Sequence, residues 1–280
     1  MPFFELFDET LDINSTGNYE LSLEVSPARL TFCLLDSIRN KFIMLREYTP
    51  EKNNGFSSEN VKDAIIKDDF LTRNYRRTVL ILPSPRYTLI PAPLFDPARK
   101  DDYFSFNHIK WESETVQTNR IPDPDSFLVF STGKEILETL REIYPDSFPL
   151  HQMKPLLHHI SVTGRNHEEP YIHAHIENDF FNLLISRDKK LQFSNSFLYR
   201  NITDILYFIL NVFKNIDLKQ DSTIFMSGQT ELFDELYSSL RTYIKDIRFA
   251  EPSGDFTFSY VFNDLQLHRY LNIISAISCV

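Results

Sequence analysis

Apolar and polar positions along the chain fall into two similar successions. In the first, residues 21–25, 29–36 and 41–48 are apolar runs joined by Ser26-Pro27 and by a polar stretch at 37–40, which predicts three successive strands. Ser57 or Ser58 then caps a helix through Val61, Ile65 and Ile66 to Leu71, with Glu59 and Asp63 in its early turns. Residues 78–82 read as a buried strand ended by Pro83-Ser84-Pro85, and residues 87–90 resume as a strand. In the second succession, residues 172–176, 180–187 and 192–198 are strands. A helix from Thr203-Asp204 carries Ile205, Ile209 and Phe213 on one face, and a strand follows at 223–226. Residues 229–242 predict a helix with Leu232, Phe233, Leu236 and Leu240 inward, and 247–250 a short strand. A turn at 252–254 and a closing helix over 262–277 complete the chain.

Between the two successions the pattern is less regular. Residues 1–18 read as an irregular or edge segment, 101–106 as a short helix, 113–120 and 127–130 as strands. Ile136, Leu137, Leu140 and Ile143 share one face of a helix over 134–143, and Pro155 opens another through Ile160. Strand, strand, strand, helix, strand, helix, stated twice at a spacing of about 150 residues, is an α/β pattern with mixed sheets and too long a period for a solenoid. The expected division is 1–165, with a small insertion near 96–150, and 166–280.

A chain of 280 residues that is 42% hydrophobic and 24% charged is ordinary for a globular protein. The 25 Phe and 13 Tyr predict an aromatic-rich core. A net charge of −10, with no extended Lys/Arg block, argues against nucleic acid as a partner. Arg73, Arg76 and Arg77 cluster beside a strand and read as a solvated helix end. The pair Cys33 and Cys279 has no metal or redox spacing, and Cys33 falls in an apolar strand. The N-terminal stretch has no basic run and carries acids early, so no secretory leader is expected. No apolar run approaches the roughly 20 residues of a membrane span, so a cytoplasmic chain without direct membrane insertion is expected.

The two openings, Tyr19 to Phe32 and Tyr171 to Ile185, each pass from an apolar strand through a short polar turn into a second apolar strand. With Val79 to Pro91, Ser126 to Leu137, His151 to Leu157 and the Phe225-Met-Ser-Gly-Gln-Thr-Glu-Leu corner, this order resembles the actin-like ATPase superfamily, and within it the pilus-assembly and type II secretion branch. More closely, the chain resembles a bacterial family of unknown function, DUF3822. The resemblance implies two duplicated ribonuclease-H-like lobes around a nucleotide cleft. It places the cleft positions at Glu24, Ser26, Glu177 and Gly228.

The chemistry of those positions departs from the superfamily. Active members carry Asp, an apolar residue, Gly and small hydroxyl residues in the first phosphate turn. Here the stretch is Glu24-Val25-Ser26-Pro27-Ala28, and Pro27 removes an N–H that a phosphate would use. In the second turn Glu177 stands where Gly is needed, with Asp179 beside it, and two carboxylates repel a triphosphate unless metal intervenes. Six glycines in the whole chain leave little material for phosphate loops. The expectation is a degenerate cleft with no cofactor. The role expected with it is a non-catalytic scaffold or protein-interaction module whose partner is another protein, with a homodimer left open. The alternative is a nucleotide- or sugar-binding enzyme or sensor using the same cleft.

Other constellations are weaker. Six of the eight histidines lie between 151 and 175, and His173 and His175 share one face of a strand. With Glu177 they are a candidate Zn²⁺ donor set, although a half-buried strand face accommodates imidazoles equally well and no paired Cys supports the metal. Ser84 and Ser227 are nucleophiles by type only, with no partner base placed by spacing. Gly133-Lys134 lacks the upstream glycine of a P-loop. The acidic pairs Asp68-Asp69, Asp101-Asp102 and Glu168-Glu169 read as solvated.

Overall fold

A computed structural model describes residues 2–50, 55–219, 221–252, 254 and 256–279. Met1 and Ser253, which belong to the expected lead segment and the expected 252–254 turn, lie outside the described residues. The chain forms two compact units. The first holds Met1–Pro155, Gly254–Leu265 and Ile273–Val280; the second holds Leu156–Ser253 and Gln266–Asn272.

In chain order the first unit carries strands β1 (Phe4–Phe7), β2 (Tyr19–Val25), β3 (Leu30–Asp36), β4 (Lys41–Tyr48), β5 (Arg77–Ile81), β6 (Tyr87–Pro91), β7 (Glu114–Ile121), β8 (Ser126–Gly133) and β9 (Pro149–Leu150). Its helices are α1 (Ser58–Lys67), α2 (Lys100–Asn107) and α3 (Lys134–Ile143). The main sheet runs β1-β4-β3-β2-β5-β9. Strands β2, β3 and β4 are an antiparallel meander, and β5 and β9 add in parallel beside β2. Every residue of β3 is buried, Thr31 and Asp36 among them. Leu21, Leu23, Phe32, Leu34, Val61, Ile65 and Leu140 form the core beneath α1 and α3. Between β5 and β9 the chain inserts a separate antiparallel sheet, β6-β8-β7, covered by α2 through the buried Phe104. The two-residue strand Thr257–Phe258 returns to pair in parallel with Lys41 and Phe42.

The second unit repeats the plan. After α4 (Met153–Gly164), strands β10 (Tyr171–Ile176), β11 (Phe180–Arg187) and β12 (Lys190–Leu198) form the meander. Helix α5 (Ile202–Asn215) starts at a capping box between Asn201 and Asp204. Then β13 (Thr223–Gly228), α6 (Glu235–Leu240) and β14 (Asp246–Phe249) follow, and the sheet order is β12-β11-β10-β13-β14. Both copies break register near the end of the second strand, at Leu34/Leu35 and at Ile185/Ser186. The duplication inferred from the apolar pattern thus extends to strand order and to a bulge. On one sheet face Ile172, Ala174, Ile176, Leu183, Ile209 and Met226 make the core.

Three expectations change. Residues 229–234 are a turn in place of the first half of a helix, because Asp234 takes the N-cap: its Oδ1 accepts from the Tyr237 N–H at 2.6 Å and its Oδ2 from the Glu231 N–H at 2.8 Å. Leu232 and Phe233, expected inside, are exposed. The closing helix is broken into short 3-10 turns around Leu271–Ser275, with His268 Nε2 held 2.8 Å from the Thr230 carbonyl. Asp68, read as solvated, is buried: α1 stops one residue before it, and its carboxylate accepts from Arg46 (2.6 Å), Tyr48 (2.5 Å) and the N–H groups of Phe70 and Leu71.

Candidate functional site

The first candidate turn lies between β2 and β3. Strand β2 delivers Glu24, and the four residues from Ser26 to Arg29 reverse the chain. The Ser26 N–H donates to the Arg29 carbonyl at 2.9 Å, and the Arg29 N–H donates to Ser26 Oγ at 3.1 Å. Pro27 has no N–H, and its carbonyl accepts from the Phe56 N–H at 2.8 Å. Glu24 Oε1 accepts from Arg29 Nη2 at 3.0 Å and from Nε at 3.3 Å, with both side chains almost wholly buried. Glu24 therefore faces a guanidinium that the sequence reading assigned only to a strand. The turn directs its donors and its acid toward its own residues.

The second candidate turn lies between β10 and β11. The Glu177 N–H donates to the Phe180 carbonyl at 2.9 Å, and Tyr199 Oη donates to the Glu177 carbonyl at 2.5 Å. The Glu177 carboxylate lies 3.1 Å from His175 Nε2 and is buried. Desolvation, with the Glu177 charge adding to it, raises the Asp179 carboxyl above the usual range. This local excess of negative charge opposes a phosphate. Gly228, at the end of β13, has φ +80, and a Cβ there would collide with the Ile176 carbonyl oxygen. That oxygen accepts from the Gln229 N–H at 2.8 Å. The close approach of two parallel strands accounts for this glycine without any ligand.

The same strand positions add Ser227 to the set of His173, His175 and Glu177 that the sequence had already grouped. His173 and His175 alternate with the core residues of β10, so they face the opposite side of the sheet. Ser227 sits beside His175 across the parallel β10–β13 pair. Its Oγ is 2.7 Å from His173 Nε2 and 2.8 Å from His175 Nδ1. One assignment of the protons closes these bonds. His175 Nε2–H donates to Glu177, Ser227 donates to His175 Nδ1, and His173 Nε2–H donates to Ser227. His173 Nδ1 is then an acceptor with no partner among the described residues. Asn272 Nδ2 lies 3.0 Å from His175 Nε2 while its Oδ1 is unpartnered; turning the amide over places that oxygen on the N–H.

Burial, then the neighbouring rings of His159 and His175, hold the His173 imidazole well below its ordinary range. Burial also lowers His159, on α4, to about 4; its Nε2 is 3.1 Å from Tyr171 Oη. The point where His173 and His175 converge is a serine hydroxyl. Among the described residues no three His, Cys, Asp or Glu side chains are grouped to hold a metal ion. Ser227, His175 and Glu177 have the connectivity of a nucleophile, a base and its orienting acid. Ser227 and His175 are 0% exposed and Glu177 is 5% exposed, so no substrate reaches them. Sequence spacing missed Ser227 because it lies 52 residues from His175 and meets it only through strand pairing.

A three-stranded meander extended by two parallel strands, repeated in two units, makes this an actin-like ATPase fold. The chain is similar to a solved Bacteroides thetaiotaomicron protein described as having an actin-like ATPase fold and unknown function, with 24% identity, a TM-score of 0.79, and coverage of 86% of this chain and 94% of that one. It is also similar to the PilM-PilN type IV pilus biogenesis complex (10% identity, TM-score 0.58, 93% and 98% covered). A third likeness is to the ethanolamine utilization protein EutJ from Carboxydothermus hydrogenoformans (7%, 0.51, 98% and 92%). At these identities the likenesses establish the fold. No curated protein matches the sequence. The chain belongs to the family described as "Protein of unknown function (DUF3822)", which matches residues 8–247. Among the described residues, no helix is long and apolar enough to cross a membrane.

Proposed function

We propose that this chain is a non-catalytic actin-like scaffold, a cytoplasmic bacterial module that binds another protein and has lost the phosphate chemistry of its fold. One observation carries the reading. In each of the two turns that the superfamily resemblance assigns to phosphate, the polar groups are committed inside the protein: Glu24 and Ser26 to Arg29, and Glu177 to His175. A phosphate entering either turn must break a buried ion pair or approach an acid, and no glycine stands at either turn to admit it. The fold is kept by apolar pattern while the site is not, which is how a scaffold derived from a nucleotide-binding ancestor differs from its parent. The PilM-PilN structure places one protein of this fold in a complex with another protein, which accords with an interaction role.

Isothermal titration of the purified chain with Mg-ATP tests the reading. The expected result is no saturable heat below about 1 mM, the range of ordinary metabolite affinities, and no phosphate release. Saturable binding, or hydrolysis above the background of buffer, favours the nucleotide- or sugar-binding enzyme or sensor instead.

A further inference from the structure

A pocket of about 340 Å³ opens in the first unit between the segment 71–78 and the turn 143–147 after α3. Arg73, Arg76 and Arg77 all line it. Its walls are fixed. Tyr75 Oη donates to the Phe70 carbonyl at 2.9 Å, and Tyr144 Oη to the Leu71 carbonyl at 2.8 Å. Arg77 is also committed, with Nε 2.9 Å from the Glu20 carboxylate and Nη2 2.9 Å from the Ile277 carbonyl.

Arg73 and Arg76 belong to the arginines that meet no carboxylate among the described residues, and both line this one pocket. On a chain of net charge −10, Arg29, Arg39, Arg46, Arg77, Arg86, Arg99, Arg120 and Arg248 each meet a carboxylate. Arg73 donates through Nε to the Asp69 carbonyl at 3.2 Å, and neither it nor Arg76 is paired with an acid among the described residues. The carboxylate in the lining is Asp146, which is exposed. Two arginines unmatched by acids, lining a concave site together with Tyr75 and Tyr144, are the elements that recognise a phosphoryl or carboxylate group.

We propose that this pocket binds a small molecule bearing a phosphoryl or carboxylate anion, held by Arg73 and Arg76, with Asp146 accepting from a hydroxyl or amine of the same ligand. The inference does not depend on the scaffold reading, since none of these residues belongs to the two turns.

Titration calorimetry of the full chain with inorganic phosphate and with citrate, at low ionic strength, is the test. Saturable binding of at least one probe is expected, and the tighter one identifies the anion. Arg73→Gln combined with Arg76→Gln weakens it about tenfold or more, with an unchanged melting curve because both side chains are exposed. Asp146→Asn tightens either simple anion by removing a like charge, an effect a structural role would not produce. Arg200→Gln, an exposed arginine in the other unit, leaves binding unchanged. Absence of saturable binding up to about 20 mM of either probe, or equal affinity in the double variant, or equal loss in Arg200→Gln, overturns the proposal. Running the Mg-ATP titration on the double variant separates the two readings. Heat that survives belongs to a nucleotide site and counts against the scaffold; heat lost with the arginines belongs to this pocket.

Discussion

The Arg29 guanidinium lies 3.0 Å from the Glu24 carboxylate across the turn joining β2 to β3, and both side chains are buried. The pair fills the place where the resemblance puts phosphate chemistry. It also makes Glu24 dependent on Arg29, because a buried carboxylate without its cation retains the desolvation cost and loses the attraction that offsets it.

Arg29→Met is therefore expected to destabilise the protein by about 3–5 kcal/mol, read as a lower urea midpoint. Glu24→Gln combined with Arg29→Met removes both charges and recovers a large part of that loss. If the double variant is no more stable than Arg29→Met alone, the pair is not what holds the turn.

Gly228→Ala tests whether the retained glycine is structural. A Cβ at φ +80 strains the backbone and meets the Ile176 carbonyl oxygen. The expected cost is about 3 kcal/mol or more, combining left-handed strain with a steric contact that only strand separation relieves. Hydrogen exchange should show the β10–β13 pairing opening first. A variant as stable as the parent would return this corner to the list of ligand-driven features.

What the sequence disclosed and what it withheld follow one physical division. Apolar periodicity is local, so β2, β3, β4, β10, β11 and α5 were legible to within a residue or two at their ends. So was the repeated order, and with it the fold. Asp68 was misread because an acid beside another acid looks solvated, and nothing local reveals that Arg46 and Tyr48, some twenty positions earlier, meet its carboxylate. Ser227 was undervalued for the same reason: its partners are neighbours only through a parallel strand pair. The helix expected over 229–242 failed at Asp234, where capping chemistry outweighed a plausible apolar spacing. Of the candidate cleft residues, Glu24 lies on β2 and Gly228 ends β13, while Ser26 and Glu177 stand in the turns. Arg29 is an ordinary residue type whose commitment to Glu24 appears only when the chain is folded.

Stability should fall on acidification from pH 7. Burial holds the imidazoles of His173 and His159 (about 4) and His151 (about 3) below 6.5. Below 6.5 the unfolded chain binds protons that the folded chain refuses, so the unfolded state gains as pH drops. The contribution is complete above 6.5 and is lost between 6.5 and the folded values. For His159 and His151 the loss is up to about 2 kcal/mol each between pH 7 and 5. Urea unfolding at several pH values measures the slope, and His173→Gln should flatten it. An unchanged slope in that variant means His173 takes up its proton while folded.

The Ser227 set separates geometry from access. Its Oγ lies 2.8 Å from His175 Nδ1, and His175 Nε2 lies 3.1 Å from Glu177, the spacing of an activated nucleophile. Yet Ser227 and His175 expose no surface. A fluorophosphonate probe should leave folded protein unlabelled, and Ser227→Ala should cost about 1–3 kcal/mol by leaving two buried imidazole nitrogens without the hydroxyl. A serine that mattered for catalysis would behave oppositely, labelling in the native state and tolerating alanine with little change in stability. Stoichiometric labelling of native protein at Ser227, located by peptide mass analysis, would show that the buried seam opens and that the chain carries a hydrolytic centre.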